Sequence, residues 1–146
     1  MSRMGVAIAC GALIGVERRT ASANAGIRTM SLVSLGSAIF ALTSLVGLGG
    51  DPSRMGAAIS TGIGFLGSGA ITDVAGRRQL VTAASIWIAA AVGVAAACGL
   101  YRLAVSGAAL TVCILRWRLI YSMLRKRLKR VKDNEEDGIE LDADGR

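Results

Sequence analysis

The chain has 146 residues, of which 53% are hydrophobic, with 19 glycines, a single proline, a net charge of +7 and a mean hydropathy of +0.54. That is more apolar surface than one small soluble domain can hide, and the scarcity of aromatics beside many Ala, Gly, Ser and Leu matches packed membrane helices. The absence of histidine excludes His-dependent catalysis and zinc sites, and bases scattered without interleaved aromatics exclude a nucleic-acid surface.

The first apolar run, Met4–Val16, ends at Glu17, Arg18 and Arg19. As a helix it rises about 20 Å, short of the ~30 Å hydrocarbon core. Either the natural chain starts earlier, which is the preferred reading, or Arg3 snorkels and the bilayer thins. A cleaved signal peptide fits less well, because charges follow the run and no small-residue cleavage site precedes them. The second run, Thr29–Leu48, carries no charge and ends in a "GGDP" turn. The third, Met55–Thr72, is also uncharged and is followed by a short "DVAGRRQ" loop. The fourth is Leu80–Ala97, with a turn at Cys98-Gly99, and the fifth runs over about Leu103–Tyr121, with Trp117 and Tyr121 as interfacial anchors. The pattern predicts an all-α polytopic membrane bundle of about five transmembrane helices with short loops, spanning residues 1–117.

Beyond it, Trp117, Ile120, Tyr121, Leu124, Leu128 and Val131 recur at helical spacing opposite Arg118, Arg125, Lys126, Lys129 and Lys132. Residues 118–132 therefore read as a basic amphipathic juxtamembrane helix on an anionic leaflet, or as a stop-transfer flank. Residues 133–146 are acidic and lack an apolar period, so they read as a disordered tail.

Loop charges set the orientation. With the C-terminus cytoplasmic, the inner side holds Arg18, Arg19, Arg28, Arg77, Arg78 and the nine bases after residue 115. The outer side holds Arg3, Arg54 and Arg102. The positive-inside rule favours this topology.

The third run contains "GIGFLGSGAI" (62–71), whose four glycines each cost about 1 kcal/mol in a helix. Gly56, Ser60, Gly64 and Ser68 lie on one face, with Gly62 and Gly69 on a neighbouring stripe. Small residues also recur at Ala7-Gly11-Gly15, at Ser37-Ala41 and at Ser85-Ala89-Gly93-Ala97. Span three is accordingly expected to be the central helix, closely packed by the others. The alternative is that its glycines unwind the helix and line an ion path. The three cysteines, Cys10, Cys98 and Cys113, lie in apolar runs without CxxC spacing and read as packing residues.

"GALIGVERR" (11–19), "AGIRTMSLVSLGSAIF" (25–40), "GIGFLGSGAI" (62–71) and "LVTAASIWIAAAVGVAAACGLY" (80–101) together resemble the membrane domain of the MgtC/SapB family, in order and spacing. The resemblance covers about residues 5–117. It implies a bacterial-type inner-membrane protein linked to growth at low magnesium and to virulence, acting on membrane complexes such as the F-type ATP synthase. Older usage makes such proteins magnesium transporters. The family's motif positions fall here on Glu17, Arg18, Gly26, Arg28, Thr29, Gly62, Gly64, Phe65, Leu66, Gly67, Gly69, Thr82 and Ala83. The soluble C-terminal domain of the virulence members has no counterpart among these 146 residues.

Magnesium is held by hard oxygen ligands, often carboxylates. The first 115 residues offer only Glu17, Asp51 and Asp73, none of them at mid-span. Glu17, Arg18, Arg28, Asp73, Arg77 and Arg78 should share the inner face, where Glu17 is expected to pair with Arg28, and Asp73 with Arg77 or Arg78. No nucleophile–base pair or metal cluster is apparent, so neither an enzyme nor a cofactor is expected. The leading reading is a non-enzymatic regulatory protein whose partners are the lipid bilayer, other membrane proteins and, as an open option, further copies of itself. The competing reading is a cation transporter or channel subunit.

Overall fold

The computed structural model describes residues 2–20, 23, 25–49, 51–69, 71, 73, 74, 77, 78, 80–117 and 121, with backbone only at 52, 73, 74, 77 and 78. The chain divides into two compact units, residues 1–113 and 114–146. In the first unit, helix α1 is Ser2–Thr20 and α2 is Ile27–Leu42, continued by a π-helical turn at Thr43–Gly47. Helix α3 is Pro52–Gly69. A two-residue antiparallel pairing of β1 (Asp73–Val74) with β2 (Arg77–Arg78) leads into α4, Leu80–Ala97. Helix α5 starts at residue 101 and runs to the end of this unit. The second unit is described at residues 114–117 and 121, which are helical, with Trp117 and Tyr121 exposed. The amphipathic helix expected at 118–132 and the acidic tail at 133–146 lie outside the described residues, Tyr121 excepted.

The interior is built mainly from alanine with Ile14, Met30 and Ile86, and it also buries Ser34, Ser37, Ser44, Thr82, Ser85, Glu17 and Arg18, whereas Leu32, Phe40, Val46, Phe65, Leu103 and Leu110 are exposed. So many large apolar side chains on the outside are unfavourable in water and suit a lipid surround. Among the described residues, two helices, Ile27–Gly47 and Leu80–Ala97, are long and apolar enough to cross a membrane. The chain is an all-α membrane bundle held together by small residues.

Close backbone approach makes the core. Helices α1, α2 and α4 pack on one another around Ser34 of α2. A Cβ on Gly11 of α1 would lie 2.6 Å from the Met30 carbonyl oxygen and 2.8 Å from Ser34 Cβ. On Gly93 of α4 it would strike the Ser34 carbonyl oxygen itself. The Ser34 hydroxyl donates to the Ala7 carbonyl at 2.8 Å, which fastens α2 to α1. Farther along, a Cβ on Gly15 would lie 2.5 Å from Ile27 Cα, at the start of α2. Lipid gives little hydrophobic drive for helix association, so such short contacts, with dispersion and interhelical hydrogen bonds, carry the assembly.

The central helix is α4, not α3. Helix α4 touches α1, α2 and α3. It also receives α5, whose Ala104 and Ala108 are fully buried and whose Gly107 faces Val92. The physical reason lies in its composition. Eight alanines with Ser85 and Gly93 let other helices approach α4 from several sides, whereas the small residues of α3 largely face away from the bundle. Helix α3 packs mainly against α4 and more thinly against α2. A Cβ on Gly56, Gly62, Gly64 or Gly69 would meet nothing within 4 Å. Of the α3 glycines only Gly67 is in contact, where a Cβ would sit 3.6 Å from the Ala83 carbonyl oxygen. Helix α3 is also α-helical throughout Pro52–Gly69, so its glycines do not break it to line an ion path.

The helix ends are capped by local sequence. Asp51 precedes Pro52 at the start of α3, and its carboxylate accepts from the Ser53 amide at 2.9 Å and the Ser53 hydroxyl at 2.6 Å. Those bonds favour the charged form and hold the Asp51 carboxyl below its ordinary pKa. Helix α4 ends in a Schellman motif at Gly99, which takes φ +80°, with Leu100 N–H on the Ala95 carbonyl and Gly99 N–H on that of Ala96. The Arg3 guanidinium donates to the Ala97 carbonyl at 3.0 Å, which satisfies another terminal acceptor and complements the negative helix end.

Gly93→Ala should lower stability by about 1–3 kcal/mol through overpacking, although alanine is the better helix former. Gly64→Ala, in open space, should be neutral or stabilising by up to ~1 kcal/mol. Unfolding midpoints in mixed detergent micelles read both, and a Gly93→Ala protein as stable as the parent would contradict this account of the core.

Candidate functional site

Of the charges expected to share one face, the side chains of Asp73, Arg77 and Arg78 lie outside the described residues, and Glu17, Arg18 and Arg28 lie toward one end of the bundle. The C-terminus of α1 and the N-termini of α2 and α4 meet there, placing Arg18, Arg19 and Arg28 at one end. Arg3 lies at the other, beside Ala97.

Glu17 and Arg18 are buried, with relative exposures of 4% and 7%. They follow Ala7, Cys10, Gly11 and Ile14 down the inward stripe of α1, at spacings of three and four. Arg18 Nη2 donates to the Thr82 hydroxyl at 3.3 Å, joining the end of α1 to the first turn of α4. Arg18 Nη1 lies 4.0 Å from Glu17 Oε2, an electrostatic contact longer than a charge-assisted hydrogen bond. Among the described residues, Glu17 Oε2 and Arg18 Nε have no hydrogen-bond partner. An ionic node buried this far from water is expensive to break, because removing one member leaves the other charge uncompensated.

The expected pairing of Glu17 with Arg28 does not form. Arg28 is exposed on the first turn of α2, and Glu17 faces inward with Arg18. The reason is helical phase: Glu17 continues the buried stripe of α1, whereas Arg28 lies on the outward side of α2. Asp73 stands in register with Arg78 across the two-residue ladder, and Val74 with Arg77. The expected ion pairs of Asp73 with Arg77 or Arg78 concern side chains outside those described.

The small-residue positions fall into two groups. Gly11, Gly15, Gly67, Thr82 and Ala83 lie at helix contacts. Of the α3 positions, Gly56 and Ser60 border α4 near Trp87 and Ala90, Gly62 and Leu66 border α2, and Gly64, Phe65 and Gly69 are exposed, Phe65 to 85%. Helix α3 thus presents a face of small residues beside an unburied aromatic ring. Residue identity alone misses the role of Thr82, which reads as a packing position and proves to be the acceptor of a buried guanidinium. The signal for it is an inward-phased Arg18 that needs an oxygen. The π-helical turn at Thr43–Gly47, where the Leu48 N–H reaches the Thr43 carbonyl at 3.1 Å, also has no signature in the apolar pattern. Among the described residues, no three His, Cys, Asp or Glu side chains converge as a metal site would require.

Comparison with known proteins gives a concordant picture. The sequence model of the MgtC family matches residues 4–121. YhiD of Escherichia coli (strain K12), named provisionally as a magnesium transporter, is 41% identical over 122 residues, covering 75% of this chain and 55% of its own. Protein MgtC of Salmonella typhimurium (strain LT2) is 40% identical over 108 residues, covering 73% and 47%. Protein SrpB of Synechococcus elongatus is 36% identical over 129 residues, covering 77% and 71%. The chain spans about half the length of the YhiD and MgtC proteins that it matches. No solved structure matches.

Glu17→Gln should cost about 3–5 kcal/mol by leaving the Arg18 guanidinium buried without a counter-charge. Thr82→Val should cost about 1.5–3 kcal/mol, the range for a hydrogen bond to a charged group. Exposed Arg28→Gln should stay within about 0.5 kcal/mol. Chemical unfolding of the three purified variants checks the order, and equal stability of Glu17→Gln and Arg28→Gln would dismiss the buried node.

Proposed function

The chain belongs to the MgtC family, and on that footing we propose that it is a non-enzymatic multi-pass protein of a bacterial inner membrane that regulates another membrane protein by helix contact during magnesium limitation. Five helices cross the bilayer, and the C-terminus is cytoplasmic. The sorting of charges supports this orientation. Arg18, Arg19 and Arg28 gather at one end of the bundle and Arg3 at the other, and an excess of bases marks the cytoplasmic end.

The observation that carries the regulatory reading is the open face of α3. Ser60, Gly64 and Ser68, spaced four apart, are exposed and form a small-residue face that no described helix covers at Gly64, with Phe65 exposed beside it. In lipid, bare backbone is the surface on which another helix can approach closely enough for dispersion and Cα–H···O contacts. The internal contacts at Gly11, Gly15 and Gly93 show the same chemistry already satisfied. A membrane complex such as the F-type ATP synthase is a partner of the required kind, and a second copy of the chain is another.

The second reading, a cation transporter or channel subunit, is favoured by one observation: the buried Glu17 carboxylate has an oxygen without a hydrogen-bond partner among the described residues. The provisional name of the Escherichia coli relative points the same way.

A photo-crosslinker at residue 65 should trap a membrane-protein partner in native membranes. Gly64→Leu should reduce that yield by about tenfold, on the view that one bulky side chain in a close contact costs over 1 kcal/mol, without loss of folded protein. Unchanged crosslinking by folded Gly64→Leu would overturn the contact mechanism. Protein-dependent Mg²⁺ flux in proteoliposomes, lost in a folded Glu17→Gln protein, would instead establish the transporter.

A further inference from the structure

Helix α3 stands away from α2, and an apolar groove of about 460 Å³ runs between them. Its floor includes Gly36 of α2 and Gly62 of α3, and a Cβ on either would meet nothing within 4 Å. These glycines make space rather than close approach, unlike those around Ser34. Leu32, Phe40 and Leu66 line the groove and are exposed, so it opens sideways into the surroundings of the bundle.

A separate polar cavity of about 340 Å³ lies at the start of α2, lined by Arg19, Gly26, Ile27, Arg28 and Thr29. Neither arginine forms an ion pair among the described residues, whose only salt bridge joins Arg18 to Glu17. Gly26 at the N-cap offers no side chain to the free amides of the first turn. The polar cavity and the apolar groove are in line. Arg28, Leu32, Gly36 and Phe40 follow one another at intervals of four along one stripe of α2. From Arg28 to Phe40 the helix rises about 18 Å, a little more than half of the ~30 Å hydrocarbon thickness.

We propose that this slot binds an anionic phospholipid, with its phosphate between Arg19 and Arg28 and one acyl chain in the α2–α3 groove. Charge complementarity selects the headgroup, since two guanidinium groups without an ion-pair partner among the described residues share one cavity with the first-turn amides of α2. The groove is lined mainly by apolar side chains and glycine, from Leu32 to Phe40 on α2 and from Met55 to Leu66 on α3, which suits an acyl chain whose headgroup is held at the charged end. The lipid would occupy the gap that keeps α3 apart from α2, so it would set the position of the face assigned to partner contact.

This inference rests on the membrane reading and is tested separately from it. Detergent-purified full chain is titrated with dioleoylphosphatidylglycerol or dioleoylphosphatidylcholine, and bound lipid is counted by native mass spectrometry. The wild type should prefer the anionic lipid by roughly thirtyfold, the value for two interfacial bases. Arg19→Gln with Arg28→Gln should bring the ratio to within about twofold, on the same reckoning. Gly36→Leu with Gly62→Leu should weaken retention of both lipids, and Gly36→Ala with Gly62→Ala serves if the larger pair does not fold. Glycerol 3-phosphate at equal concentration should not displace the lipid; if it does, the cavity is a free phosphate site and the proposal fails. No preference in the wild type, or a preference kept by the double glutamine protein, also overturns it. Failure of the chain to partition into membranes would instead overturn the membrane reading itself.

Discussion

Ser34 is the point on which the bundle turns. Gly11 of α1 approaches its side chain, Gly93 of α4 approaches its carbonyl, and its hydroxyl is bonded to Ala7. Three helices can meet there only because two of them lack a side chain at the contact. Once they meet, the remaining order follows. Helix α1 runs antiparallel to α2 and to α4, which carries Arg18 to Thr82 at one end and Arg3 to Ala97 at the other. The two arginines are 15 positions apart on one helix and bracket the length of α4. A side-chain-free contact in the middle thus positions a polar contact at each end.

The same chemistry has opposite meanings at different glycines. Where backbone meets backbone, as at Gly11, Gly15 and Gly93, the absence of Cβ allows a short interhelical distance. Where nothing lies within 4 Å, as at Gly36, Gly62 and Gly64, it leaves either a gap or an uncovered face. Placing the uncovered face on α3 keeps the surface proposed for partner contact away from the core, so a change there should alter association without unfolding the bundle.

Much of this was legible in the sequence. The apolar runs locate all five helices, and the fourth run has the same limits as α4, Leu80–Ala97. The turn residues work as expected at Asp51-Pro52 and Gly99, because proline and left-handed glycine act locally. The identity of the central helix was not legible. Small-residue stripes occur on α1, α2, α3 and α4 alike, and a stripe shows that a face can be approached, not that a partner lies within the same chain. The candidate site was half legible. Glu17 and Arg18 stood out as charges at the end of an apolar run, but their mutual contact and the bond to Thr82 depend on the phase of α1 and on a residue 64 positions away from Arg18. The separation of Arg28 from Glu17 has the same cause.

The π-helical turn at Thr43–Gly47 fixes where the chain leaves α2. Such a turn accommodates one residue beyond the α-helical count, and each residue of an α-helix is worth about 100° of rotation and 1.5 Å of rise. With regular α geometry through Thr43, the connection to Asp51 would depart from another side of the helix, and α3 would descend along a different flank of α4. A single surplus residue near the rim therefore steers an entire helix.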